Sequence, residues 1–200
     1  MAAHPDPTAA PTPFQRVVAD LRTHQWRAGV TIEEIPSPQR VAPYAVAITV
    51  DLTHRDQDLG TGRVVILHDP DGVDSWQGSF RVVAYAKGEV DPEMLTDPLL
   101  AEVGWSWLLD ALASHEATYV APSGNVACMW GRSFGALEET PLQAEMEIRA
   151  SWTPRLDADG GGIAAHLDAF AELLCDLCGI PPLPEGVVMM TPLRQRRQER

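Results

Sequence analysis

Apolar residues recur at every second position from Tyr44 through Val46, Ile48 and Val50 to Leu52, with Thr49, Asp51 and Thr53 polar. Side chains alternate across a strand, so this stretch predicts a strand with one oily and one wet face. The same period returns in Phe80, Val82, Ala84 and Ala86, which alternate with Arg81, Tyr85 and Lys87. It returns again over 142–153, where Ala144, Met146, Ile148 and Ala150 share one side and Glu145, Glu147 and Arg149 the other. Shorter runs predict strands over 30–35, 63–68 and roughly 117–132, the last interrupted at Pro122-Ser123-Gly124. Pro36 and Pro38 suit the first of these to an edge or a linking segment. Between the strands, Asp56 to Gly62 reads as a polar turn and Asp69-Pro70-Asp71-Gly72 as a type I turn.

Three stretches carry the helical period instead. Phe14, Val17, Val18 and Leu21 predict an amphipathic helix over 14–25, opened by Pro13. Asp97-Pro98 predicts a helix start, with Asp97 as the cap and Pro98 as the first helical residue; Leu100, Val103, Trp107, Leu108 and Leu112 continue it to about Ser114. Ile163, Leu167, Phe170, Leu174 and Leu177 define a last helix, stopped by Gly179 and Pro181. The order is helix, meander, helix, two strands, helix. Without parallel crossovers this is α+β: a single antiparallel sheet of about five or six strands with three helices packed on one face. The domain is expected over 14–190, with 181–190 as an extended arm. Residues 1–13, with four prolines, read as a disordered leader and 191–200 as a disordered arginine-rich tail.

Composition changes this picture little, but charge does. Apolar residues are 45% of the 200, enough for a sizeable core. Asp and Glu total 28 against 15 Lys and Arg, a net charge of −13. Arg194, Arg196, Arg197 and Arg200 sit in the last ten residues beside one acid, Glu199, so 1–190 holds 27 acids and 11 bases, a charge of −16. Such a body repels phosphate backbones, so nucleic acid is disfavoured, and it favours a protein partner with a basic face. Three cysteines make no disulfide framework and point to a reducing, cytoplasmic setting. No apolar run reaches the roughly 18 residues needed to span a bilayer, so no membrane partner is expected.

Candidate chemistry is sparse. Cys175-x-x-Cys178 lies near the C-terminal end of a helix, whereas a redox thiol wants the N-terminal end and a zinc site wants four ligands. Buried apolar cysteines are the better reading. His68-Asp69-Pro70-Asp71-Gly72-Val73-Asp74 fails the calcium-loop pattern, which needs Gly at position six and Glu at twelve; counted from Asp69 those are Asp74 and Phe80. Glu33 and Glu34 point to opposite faces of a strand, and His166 with Asp168 has no nucleophile beside it. Gly160-Gly161-Gly162 lacks the Lys-Ser or Lys-Thr of a phosphate loop. No catalytic residue, metal ligand or cofactor is therefore assigned. Six tryptophans against four phenylalanines are the oddity. Trp105 and Trp107 stand about 200° apart on a helix, so one is expected in the core and the other exposed or covered by the Pro36–Pro43 segment or the C-terminal arm. The pair is the candidate partner-binding site, since Trp anchors interfaces. The function these features imply is a non-enzymatic binding or regulatory protein, working through the wet sheet face or an exposed tryptophan. The alternative is an enzyme or small-ligand binder whose helix–sheet pocket gathers His68, Glu102, His115 or His166.

Three blocks carry a family resemblance: Glu34 to Ala47, with Pro36-Ser37-Pro38 and Val41-Ala42-Pro43-Tyr44; Asp97 to Leu108, with Trp105-Ser106-Trp107; and Glu147 to Pro154, with Ser151-Trp152-Thr153-Pro154. Together they resemble an actinobacterial domain-of-unknown-function family, number three thousand, over about 14–190. The resemblance implies a bacterial cytoplasmic protein and carries over no site residue. The order of elements is also similar to the secretion-chaperone-like fold, which implies a surface that binds other polypeptides.

Overall fold

The computed structural model describes residues 10–137 and 143–180. The arm expected over 181–190, the tail and most of the leader lie outside the described residues. Twelve residues form α1 (Thr12–Thr23), two residues earlier than the apolar spacing predicts, because Pro13 sits inside the first turn. The strands are β1 (Val30–Ile35), β2 (Tyr44–His54), β3 (Gln57–Val73), β4 (Gly78–Glu89), β5 (Tyr119–Gly131) and β6 (Gln143–Pro154). Between β4 and β5 lies α2 (Leu100–Ser114), and α3 (Ile163–Leu177) closes the described chain. All neighbouring strands are antiparallel, in the order β1-β2-β3-β4-β6-β5. Among the described residues the fold is thus α+β, one open sheet of six strands with three helices.

The alternation in the sequence decides which side is inside. Val46, Ile48, Val50 and Leu52 are at most 4% exposed and share the core with Val64, Ile66, Val82, Ala84, Met146 and Ile148. Phe14, Val17 and Leu21 of α1, Leu108 and Leu112 of α2, and Leu167, Phe170 and Leu174 of α3 complete that cluster. Each fully buried large side chain contributes about 1.5–3 kcal/mol, and this stripe outweighs the weak preferences of individual residues.

Two expected turns are in fact strand. Arg55 and Asp56, with φ of 51° and 63°, make the β2–β3 turn alone, and Gln57 already pairs with His54. The stretch to Gly62 continues β3 because its glycines face α3. A Cβ at Gly62 would lie 2.6 Å from Phe170 Cζ, and at Gly60 3.3 Å from Leu174 Cδ1. Glycine there permits close helix approach rather than a bend. Similarly, Asp69 to Gly72 is an irregularity within the β3–β4 pairing, between His68 and Val73. The reversal itself falls on a 3-10 turn, Asp74–Trp76, and on Gln77 at φ 59°.

Ahead of α2, Asp97 caps a turn rather than the helix: its Oδ1 accepts the Leu99 N–H at 2.9 Å and its carbonyl the Leu100 N–H at 3.2 Å. Regular helix starts at Leu100, not at Pro98. β5 runs through the expected break at Pro122, bulging between Val120 and Ser123 with Ala121 at φ 49°. An edge strand tolerates a proline that a central strand would not.

Candidate functional site

The residues singled out in the sequence do not converge. Cys175 is buried in α3 and Cys178 half-buried; burial pushes their thiols up to about 11 and about 12, far from a reactive thiolate. His68 lies under the sheet, its ring stacked 4.1 Å from Phe80, with Nδ1–H donating to the Ser79 carbonyl at 3.0 Å. His166 is buried and accepts the Trp152 indole N–H at 3.1 Å, while Asp168 faces His24 at 3.1 Å. His115 meets Glu172 at 2.6 Å, and Glu102 is exposed. The four groups of the expected helix–sheet pocket therefore have separate surroundings. Glu34 is held bidentately by Arg22 of α1 at 2.9 Å, which keeps its carboxyl below the usual range. Among the described residues no group of three His, Cys, Asp or Glu side chains is placed to hold a metal ion.

Trp105 and Trp107 are both half-buried against the core, neither enclosed nor open. The reason is the position of α2, which packs on β5 and on α3 and so has neighbours on two sides. Trp105 lies over Gly124, where a Cβ would come 2.8 Å from its ring. The most exposed tryptophan is Trp130, 66% accessible near the end of β5.

What converges instead is on the wet face. Arg63, Tyr85, Arg149 and Asn125 stand side by side on β3, β4, β6 and β5. The next row is Val65, Val83, Ser151 and Ser123. Together the two rows line a groove of about 370 Å3. Strands lie roughly 4.8 Å apart, which puts the Arg63 and Arg149 backbones about 10 Å from each other, within reach of one group between them. Val83, 39% exposed, forms an apolar floor with Val65. Among the described residues the lining includes no acidic side chain.

One row further on, Arg81 is 7% exposed, yet it faces no carboxylate among the described residues. Its Nη1 donates to the Ala121 carbonyl at 2.8 Å and Thr153 Oγ1 at 3.3 Å; its Nη2 donates to Ser123 Oγ at 2.9 Å and Ser151 Oγ at 2.7 Å. Burial pulls its pKa below the ordinary arginine value, but guanidinium remains charged in proteins. A buried cation is costly unless polar groups surround it, and here neutral oxygens do so and leave its charge uncancelled.

The Thr153 hydroxyl donates to the Trp76 carbonyl at 2.5 Å. Ser123 and Ser151, 3.2 Å apart, both accept from Arg81, so one can donate to the other and a single hydroxyl proton is left for the groove. On the far side, Arg149 lies over the Tyr85 ring, 5.5 Å from its centroid, and pairs with Glu147. The Tyr85 hydroxyl also donates to Glu147 at 2.9 Å; its pKa is raised, by burial first and by this bond second. Arg63 has no ion pair among the described residues.

Chemically, this is a set of donors around a hollow with surplus positive charge, which suits an anion. Among the described residues neither serine hydrogen-bonds a base: their partners are Arg81, which only donates, and each other. Periodicity contained only part of the signal: 81 and 149 fall on the polar phase of their strands, whereas Arg63 shares its phase with the apolar Val65 and Leu67. Which strands lie next to which, and hence that the arginines meet, depends on β6 pairing with β4.

Among the described residues no helix is long and apolar enough to cross a membrane. No curated protein and no solved structure matches the chain. The family model described as "Protein of unknown function (DUF3000)" matches residues 10–188, and with that span covered the chain belongs to this family.

Proposed function

We propose that the protein is a non-enzymatic binding protein that engages an anionic group of its ligand at the outer face of the sheet. One observation carries this reading: the groove lined by Arg63 and Arg149, with no acid among its described lining residues, on a chain of net charge −13. Three of the ten arginines before residue 190 gather in or behind it. The global balance favours a basic partner, but charges beyond about 8 Å are largely screened at physiological salt, so the local field selects what enters the groove. Serine hydroxyls without a general base favour binding over catalysis. The free cysteines belong with a reducing, cytoplasmic setting under the same reading.

The test is titration of the 15N-labelled chain with benzoate, benzyl alcohol and benzylamine. Amide shifts confined to residues 63–65, 83–85, 123–125 and 149–151, seen with the anion and absent with its neutral and cationic counterparts, are the expected result. Equal responses to all three compounds, or shifts centred elsewhere, would refute the reading.

A further inference from the structure

We infer that the groove is built for the dianionic head of a small organic phosphomonoester, held by Arg63, Arg149 and the Ser123–Ser151 hydroxyl pair, with its organic body over Val65 and Val83. This rests on the groove being an anion site at all, and adds the kind of anion.

Charge is the first argument. Arg63 and Arg81 have no carboxylate partner among the described residues, whereas Arg149 shares Glu147 with Tyr85. Two positive charges are thus left over. A phosphomonoester carries roughly −1.5 to −2 near neutral pH, while a carboxylate supplies one charge and leaves half the surplus unmet. Direction is the second argument. Arg63 comes from β3 and Arg149 and Ser151 from β6, while Ser123 and the Asn125 amide stand on β5. Donors arriving from several sides suit three phosphoryl oxygens that diverge, and a planar carboxylate cannot face them all.

Size and surroundings limit what the phosphate is attached to. A hollow of about 370 Å3 with valine on its floor takes a compact, partly apolar body. Polyphosphate chains need a track of cations, and Glu147 and Glu145 follow along β6 on one side of the groove. With −13 overall, a nucleic acid pays repulsion over most of its length, whereas a single dianion meets only the local field.

The experiment is calorimetric titration of the full chain at low salt and pH 7.5 with phenyl phosphate, phenyl sulfate and benzoate. Phenyl phosphate is expected to bind at least about tenfold more tightly than either monoanion, as one additional charge-assisted contact provides. Its affinity should fall severalfold by pH 5, because the second phosphate pKa is about 6, while that of phenyl sulfate stays level. Arg63→Gln, an exposed position, should cost about tenfold for phenyl phosphate. Ser151→Ala should shrink the phosphate preference, and Asn125→Ala gives the same readout should the serine variant unfold. Benzoate bound as tightly as phenyl phosphate would overturn the phosphate assignment and leave the anion site standing. No response to any anion would remove both. A phosphotyrosine peptide bound far more tightly than phenyl phosphate would move the site to phosphoprotein recognition and overturn the small-ligand assignment.

Discussion

His166 shows how one buried side chain fixes a protonation state. The Trp152 indole donates to Nδ1, so that nitrogen carries the lone pair and the ring proton is on Nε2. Protonating Nδ1 breaks this bond and charges a group 2% exposed, and burial accordingly pushes the pKa down from 6.5 to about 4. The folded state therefore refuses a proton that the unfolded chain accepts below pH 6.5. The associated stability is complete above that pH and drains away as pH falls toward 4, by about 3 kcal/mol at the lower end. His68, depressed by burial in the same direction, adds to the slope. His166→Gln keeps an acceptor for the indole but cannot titrate. Urea unfolding of the variant between pH 7 and 4 should give a visibly shallower decline than the parent chain. A decline of unchanged steepness would assign the acid sensitivity to carboxylates instead.

At the scale of elements, the β2–β3 hairpin offers a direct test of backbone reasoning. Two residues with positive φ at both central positions make a type I′ turn, which favours Asn-Gly, and here Arg55-Asp56 occupies it. Both side chains bear a left-handed backbone that glycine and asparagine adopt at lower cost. Changing Arg55 to Asn and Asp56 to Gly together should raise stability by about 0.5–1 kcal/mol, read as a higher urea midpoint with an unchanged slope. A midpoint that does not move would mean the strands, not the turn, set the geometry. The same hairpin shows what sequence can and cannot disclose. The period-two stripe from Tyr44 to Leu52 announced β2 and its buried face, since burial of alternate residues leaves a local trace. The length of β3 was hidden, because Asp58, Gly60 and Gly62 look like turn residues until Phe170, 108 residues later, is seen to need the space above Gly62. Trp105 and Trp107 failed to sort into one inner and one outer ring for a similar reason: α2 has two neighbours, and helical angle alone counts one. The arginine groove was illegible for the strongest version of this cause. Arg63, Arg81 and Arg149 are individually ordinary strand positions, and only the pairing of β6 with β4 brings them together.

For the whole molecule, charge acts in two opposed ways that a single variable separates. Residues 1–190 carry −16, so most of the surface repels itself, and exposed pairs such as Arg22 with Glu34 return little, typically below about 1 kcal/mol. Across that same surface the groove is a local exception with surplus positive charge. Raising salt shortens the screening length from about 30 Å at 0.01 M to about 8 Å at 0.15 M, which weakens the diffuse repulsion and the attraction of the groove for anions alike. Thermal stability should therefore rise across this range, by a few degrees for each kcal/mol of relieved repulsion in a chain of this size, while affinity for phenyl phosphate falls. Melting curves and calorimetry in the same buffers read the two effects. If the melting temperature drops with salt, the exposed ion pairs outweigh the self-repulsion; if affinity holds constant while stability rises, the anion is recognised by shape and neutral contacts rather than by the uncancelled charges of Arg63 and Arg81.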